Sequence, residues 1–134
     1  MGAKGPRCSI QRCGKPRKVD TYCRTHATKE ADRLFSILIR NRERRCARCD
    51  AEFGMQCCHV ISRRYRATRW DPENAVGMCY KCHTWQTNWP LEGDTFFDQH
   101  FGKGHVAEMR YRALNYPVPD METVLYELRK VVAA

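Results

Sequence analysis

The sequence predicts an α+β protein in which a small zinc-stapled core carries an N-terminal zinc-binding lobe and flanking helices. The chain has 134 residues, which suffice for one small domain with appendages but not for a large hydrophobic core. It contains nine cysteines, most of them in closely spaced groups, and such groups are typical of metal sites that stabilise small cores. Two short runs with the character of strands lie between segments of helical periodicity.

The positive charge of the chain is concentrated in its first part. Residues 1–50 contain 14 Lys or Arg and 5 Asp or Glu, whereas residues 51–134 contain ten of each class. Because basic side chains displace counterions from phosphates, this asymmetry favours a polyanionic partner. A merely solvated basic surface gives the same pattern and is the alternative.

The composition predicts a cytoplasmic protein without a membrane partner. No apolar run approaches the roughly 18 residues of a membrane span. The segment 1–18 is basic and has no apolar stretch, unlike a signal peptide. In the reducing cytoplasm dense cysteine indicates metal binding, and a secreted disulfide-bonded protein is the alternative.

Residues 1–26 are predicted to form a basic zinc-binding lobe. Three cysteines and a histidine occur with the spacing Cys-x4-Cys-x9-Cys-x2-His. Zinc takes four such ligands tetrahedrally, and a closed shell of four protein ligands leaves no position for a substrate. We therefore predict a structural Zn²⁺ whose ligands are Cys8, Cys13, Cys23 and His26.

Residues 27–42 are predicted to form a linking helix. Apolar residues recur here at helical spacing with charges between them, and Thr28 is a plausible start. The apolar positions are Ala31, Leu34, Phe35, Leu38 and Ile39.

Residues 43–90 are predicted to form the central module, which a second metal group clamps. Two Cys-x2-Cys pairs, 29 residues apart, supply four thiolates and indicate a closed structural Zn²⁺ site. Its ligands would be Cys46, Cys49, Cys79 and Cys82. A redox-active cysteine pair is the alternative, but two such pairs without a βαβ pattern argue against it.

Between the two cysteine pairs the pattern predicts a β-hairpin, and a helix follows it. The runs 55–61 and 75–78 have the character of strands, separated by an arginine-rich loop and by the turn residues 70–74. A helix is predicted over 82–88, limited by Pro90 because the residue before proline disfavours helical backbone.

Residues 91–134 are predicted to form a helical region. The stretch 94–115 is amphipathic and is interrupted at 102–104 by Gly-Lys-Gly. Two prolines then precede a last helix that begins at Asp120.

Three short pieces of the central module occur in a specific order. They are Cys-His-Val-Ile at 58–61, Asp-Pro-Glu-Asn-Ala-Val at 71–76, and Cys-Tyr-Lys-Cys-His at 79–83. This order between cysteine pairs resembles the HNH endonucleases, which have the ββα-metal fold and, in many phage and restriction enzymes, flanking zinc-binding cysteines. The N-terminal ligand set, which ends in Tyr-Cys-Arg-Thr-His, is similar to a zinc motif of phage HNH proteins.

The resemblance implies a metal-dependent endonuclease that hydrolyses DNA phosphodiester bonds by a one-metal mechanism. A phage would encode it, and it would act in the host cytoplasm. The resemblance assigns the general base to His59 and places a catalytic divalent cation against His83. Asn74 would orient His59 through its side-chain amide or hold the hairpin. The arginines suited to gripping phosphates are Arg63, Arg64, Arg66 and Arg69.

Cys58 occupies the position at which many HNH enzymes have an aspartate or histidine as a second metal ligand. A thiolate is a poor ligand for Mg²⁺ and a better one for softer ions. The catalytic cation is therefore Mg²⁺, Mn²⁺, Ni²⁺ or Zn²⁺, and Cys58 either binds it or only fills space. The alternation of side chains along a strand points Cys58 away from His59 and favours space filling.

Three other functions fit parts of the pattern. Within the enzyme class, the alternative is a branched-DNA or recombination nuclease. A non-catalytic zinc-stapled DNA-binding protein would use His59 and His83 structurally. A ribosome- or RNA-associated zinc protein is favoured by charge alone. The sequence does not indicate the oligomeric state.

Overall fold

The computed structural model describes residues 5–133, so the first four residues of the basic N-terminal segment lie outside the described part. The predicted α+β class is confirmed, with a two-stranded antiparallel sheet among helices. Within residues 5–133, no helix combines the length and the apolar character needed to cross a membrane. The elements are α1 (Arg24–Arg42), β1 (Met55–His59), a 3-10 turn (Pro72–Asn74), β2 (Ala75–Cys79), α2 (Tyr80–Asn88), α3 (Pro90–Phe101), α4 (His105–Asn115) and α5 (Met121–Ala133).

The chain divides into two compact units. The first consists of the residues up to Leu34 together with those from Pro119 onward, and the second is Phe35–Val118. The predicted segment boundaries after residues 26, 42 and 90 stay predictions. The compact units are a different division, in which the first unit joins segments that are distant in the chain.

In the first unit, a cysteine that is predicted to bind metal directly precedes the long helix. The backbone N–H of Ala27 donates to the carbonyl of Cys23 at 2.9 Å, and the backbone N–H of His26 donates to Cys23 Sγ at 3.5 Å. The sulfur therefore caps the helix where a serine or aspartate oxygen ordinarily would. For this reason α1 begins at Arg24, earlier than the predicted start at Thr28. The buried residues of α1 and α5 in this unit are Ala27, Ala31, Leu34, Met121, Val124, Leu125 and Leu128.

In the second unit, the predicted β-hairpin is present. Met55 pairs with Cys79 and His59 pairs with Ala75. β1 ends at His59 rather than at residue 61, because the next two backbone N–H groups turn toward Asn74. They donate to its carbonyl at 2.8 Å and to its Oδ1 at 2.9 Å.

Three helices follow the hairpin without long connections. α2 begins directly after β2, and α3 begins at Pro90, which tolerates a first helical position because it has no N–H to bond there. The predicted interruption at 102–104 is confirmed, with Gly102 and Gly104 at φ of 126° and 87°. Hairpin and helices enclose the core residues Cys46, Cys58, Val60, Val76, Met78, Cys79, Cys82, Phe97, Val106 and Met109.

Candidate functional site

The four ligands predicted in the first unit lie together. Their ligand atoms all fall within 4.8 Å of one another. The Sγ atoms of Cys13 and Cys23 are 3.7 Å apart, and His26 Nδ1 is 3.4 Å from Cys8 Sγ and 3.2 Å from Cys23 Sγ. A tetrahedral zinc ion with Zn–S of about 2.3 Å and Zn–N of about 2.0 Å separates two sulfurs by about 3.8 Å, and sulfur from nitrogen by about 3.5 Å. This group could hold a metal ion.

The local backbone brings these ligands together and favours the thiolate. The N–H of Cys8 donates to the carbonyl of Lys15 at 2.8 Å and closes the loop, while Gly14 makes the turn at φ 69°. Burial opposes ionisation of Cys8, but backbone N–H groups of Cys23 and Ile10 lower its pKa to about 6. A thiolate is the form that binds metal.

The four cysteines predicted in the second unit also lie together, again within 4.8 Å. Cys49 Sγ and Cys79 Sγ are 3.6 Å apart. The first pair lies on a tight turn in which the N–H of Asp50 donates to the carbonyl of Cys46 at 2.9 Å. The second pair spans the junction of β2 and α2, since Cys79 ends the strand and Cys82 lies in the first turn of the helix.

The thiols of this group differ in how readily they ionise. Burial opposes ionisation of Cys46, but backbone N–H groups lower its pKa to about 6. Burial and the neighbouring sulfurs raise the pKa of Cys82 to about 12, although Arg48 lowers it. Arg48 Nη1 donates to Cys82 Sγ at 3.5 Å and its guanidinium lies 3.6 Å from the ring centre of Trp85. The donor set therefore fits a divalent, thiolate-binding ion.

His59 lies at the end of β1 with its ring fixed. Its Nε2 is 2.9 Å from the carbonyl oxygen of Arg69. Because a carbonyl only accepts, Nε2 donates, and a neutral imidazole then carries its lone pair on Nδ1. The ring of Phe35 lies 5.5 Å away, centre to centre. The half-buried imidazole is thus set in the tautomer whose basic atom is Nδ1.

His83 lies in α2 next to the hairpin. Its Nδ1 donates to Gln56 Oε1 at 2.7 Å, so the lone pair of the neutral ring is on Nε2. Burial, and then the positive charge of Arg63, lower the pKa of His83, which favours the neutral form that binds metals. A shallow groove of about 210 Å³ adjoins it. Its lining residues are Gln56, Tyr80, His83, Thr84, Thr87 and Asn88.

Asn74 holds the loop after β1 in place. Its side chain is fully buried, and its Oδ1 accepts from the N–H of Ile61 at 2.9 Å. Its Nδ2 donates to the carbonyls of Ile61 and Thr68, both at 3.1 Å. Of the two roles predicted for Asn74, these contacts correspond to holding the hairpin.

Cys58 is a buried thiol that faces helix α2. It is fully buried, and its Sγ donates to Gln86 Oε1 at 3.4 Å. Burial raises the pKa of Cys58 to about 12. The alternation of side chains along β1 places Cys58 on the same face as Gln56 and His59 on the opposite face. These observations favour the space-filling role over the ligand role.

The four predicted arginines differ in exposure. Arg63 and Arg64 are exposed, whereas Arg66 and Arg69 are half-buried and lie over the ring of Trp70 at 5.0 and 5.5 Å. Arg69 Nη1 donates to the carbonyl of Arg63 at 3.3 Å. Arg69 contacts His59 through its carbonyl, and the positive charge of Arg63 lowers the pKa of His83.

Two contacts were not expected from the sequence. Gln56 orients His83, and the only signal for it was a polar residue in an otherwise apolar strand. Arg48, which lies within the first Cys-x2-Cys turn, donates to the sulfur of Cys82. Among the residues that the structure describes, the two groups above are the only sets of three or more metal-ligating side chains close enough to share an ion. No protein-family model, curated protein or solved structure matches this chain.

Proposed function

We propose that this protein is a metal-dependent endonuclease of the HNH type, which hydrolyses DNA phosphodiester bonds with His59 as general base. The observation that carries the proposal is the fixed orientation of two imidazoles on a hairpin followed directly by a helix. His59 ends the first strand, and His83 lies in the helix that follows the second strand. Each ring donates one N–H to a fixed acceptor.

In the proposed reaction, Nδ1 of His59 takes a proton from the attacking water. A histidine that is neutral near pH 7 is suited to this transfer. The carbonyl of Arg69 keeps the proton on Nε2 and steadies the ring when it becomes positively charged. The exposed guanidinium groups of Arg63 and Arg64 would hold the DNA phosphates.

Nε2 of His83 would hold the catalytic divalent cation, which supplies stabilisation of the charge on the phosphate and the leaving oxygen. Gln56 accepts a hydrogen bond from Nδ1, the other ring nitrogen, and so orients this ligand, as the hydrogen-bond partners of metal-binding histidines ordinarily do. With one described imidazole, the shell needs water and phosphate oxygens, which Mg²⁺ and Mn²⁺ accept readily. The two four-ligand groups would each hold a structural Zn²⁺.

The test is cleavage of supercoiled plasmid by the full chain, with Mg²⁺, Mn²⁺, Ni²⁺ or Zn²⁺ added in turn. We expect His59→Ala to lower the rate by about 10²–10⁴-fold, which is the usual contribution of a general base. His100→Ala removes an exposed histidine of α3 and is the matched control, with an expected rate close to that of the wild type. Cleavage by His59→Ala at the wild-type rate would refute the assignment.

A second candidate is a zinc-stapled DNA-binding protein without catalysis. It is favoured by one observation, which is that both groups of metal-ligating side chains within residues 5–133 are closed four-ligand sets. Binding of plasmid by the wild type, with no cleavage in any of the four metals, would support this candidate over the nuclease.

A further inference from the structure

We infer that the N-terminal lobe, residues 5–26, is a second DNA-binding surface that grips the phosphate backbone independently of base sequence. The inference rests on the proposed function only in taking DNA as the partner. Beyond holding its predicted structural zinc, the lobe would supply affinity for DNA, while the hairpin would supply the chemistry of cleavage.

The lobe carries a high density of uncompensated positive charge. Its single carboxylate, Asp20, already pairs with Arg129 at 2.9 Å. Six basic side chains in the lobe are exposed, and none of them has a carboxylate within 4.0 Å among residues 5–133. They are Arg7, Arg12, Lys15, Arg17, Lys18 and Arg24.

The fold of the lobe brings the backbones of several of these basic residues together. Arg7 forms an antiparallel bridge with Pro16, which Lys15 and Arg17 flank in the chain. Arg17 Nε donates to the carbonyl of Arg7 at 2.6 Å, and the N–H of Cys8 donates to the carbonyl of Lys15 at 2.8 Å. Like charges gathered on one small lobe repel one another, and a bound polyanion offsets that repulsion while its counterions are released.

Some basic residues elsewhere in the chain show the contrasting arrangement of an ordinary solvated surface. Arg33 pairs with Glu30 at 2.6 Å, and Arg112 pairs with Asp71 at 3.1 Å and with further carboxylates. In these pairs the positive charge is neutralised within the protein. None of the six basic side chains of the lobe is neutralised in this way, and this concentration of positive charge makes the lobe the part of the first unit suited to phosphates.

The test compares two full-length variants that lose the same net charge. The lobe variant carries Arg7→Gln, Lys15→Gln and Lys18→Gln, which leaves the hydrogen bond of Arg17 intact. The control carries Lys103→Gln, Arg110→Gln and Lys130→Gln, three exposed residues outside the lobe. Affinity for a short fluorescent DNA duplex is measured by anisotropy without added divalent cation, from about 50 to about 200 mM salt, the range over which binding to phosphates weakens steeply.

We expect the lobe variant to bind about tenfold or more weakly at about 100 mM salt, because its replaced side chains no longer neutralise phosphates. Each neutralised phosphate contributes about 0.9 to the slope of log K against log salt. Its slope of log K against log salt should be smaller by about two to three, roughly one for each basic side chain replaced. The control should stay within about twofold of the wild type, and zinc content should be equal in all three proteins. An unchanged slope in the lobe variant, or an equal weakening in the control, overturns the inference.

The outcome is distinguishable from failure of the nuclease proposal. A wild type that binds duplex but never cuts plasmid refutes the nuclease and leaves the comparison of the two variants readable. A wild type that cuts plasmid, together with a lobe variant that binds as tightly as it does, refutes only the role of the lobe. Tighter lobe-dependent binding to an RNA duplex than to DNA would contradict the choice of partner.

Discussion

Cys58 directly precedes His59, the proposed general base. In this chain the thiol is fully buried, donates to Gln86, and has its pKa raised to about 12 by burial. A protonated thiol in apolar surroundings behaves as a small hydrophobic side chain. We therefore expect Cys58 to contribute to the packing between β1 and α2.

We predict that Cys58→Ala leaves the ranking of Mg²⁺, Mn²⁺, Ni²⁺ and Zn²⁺ in plasmid cleavage unchanged. The small cavity should lower the free energy of unfolding by about 1 kcal/mol, as for other small truncations in a core. The measurement is a metal profile beside a denaturant titration of wild type and variant. A changed ranking, or loss of activity in a variant that remains folded, would show that the sulfur binds the catalytic cation.

β2 lies close to the segment that follows α1, and Gly77 makes this approach possible. An added Cβ at Gly77 would lie 2.8 Å from Glu43 Cβ and 3.1 Å from the carbonyl oxygen of Glu43. The carbonyl of Gly77 accepts from the N–H of Ala47 at 3.0 Å, which ties the strand to the first cysteine turn of the second metal group. The Cβ and the carbonyl of Glu43 move only with the backbone of that residue, so little room is left for adjustment.

Gly77→Ala should therefore destabilise the second unit. We expect the free energy of unfolding to fall by about 1–3 kcal/mol, the usual cost of overpacking a well-packed site. Gly5→Ala is the matched control, since nothing lies within 4 Å of its added Cβ. Urea titrations of the two variants measure the difference. Equal free energies of unfolding for the two variants would mean that the segment around Glu43 shifts without an energetic cost.

The helices and strands were predictable where the signal is local. The apolar periods of α1, α4 and α5 and the turn before β2 follow from neighbouring residues, and the structure has them near the predicted positions. The misplaced ends have tertiary causes. β1 ends early because Asn74 hydrogen-bonds the backbone after His59, and α1 begins early because the Cys23 sulfur caps it.

The site was predictable in part for the same reason. Both metal groups could be named because close cysteine pairs are local in the chain, and their ligand atoms do lie together. The contact of His83 with Gln56 joins residues 27 positions apart, and that of His59 with Arg69 uses a backbone carbonyl. No residue pattern indicates such contacts, since they depend on how the loop and helix pack.

The two metal groups belong to different compact units, so each should stabilise its own unit. Because structural zinc binding is coupled to folding, loss of one ligand should release one ion and loosen one unit. We predict about two Zn²⁺ per wild-type chain, as two four-ligand shells require. Cys13→Ser and Cys49→Ser should each retain about one Zn²⁺. Cys57→Ser, outside both groups, should retain both.

Native mass spectrometry counts the ions, and hydrogen exchange locates the loosened unit. Cys49→Ser should speed exchange within Phe35–Val118 and abolish plasmid cleavage, because β2 and α2 carry both that metal group and His83. Cys13→Ser should speed exchange in residues 5–34 and leave β1, β2 and α2 protected. Release of both ions by either single substitution would contradict the independence of the two units. Release of one ion with unchanged exchange would instead contradict the coupling of zinc binding to folding.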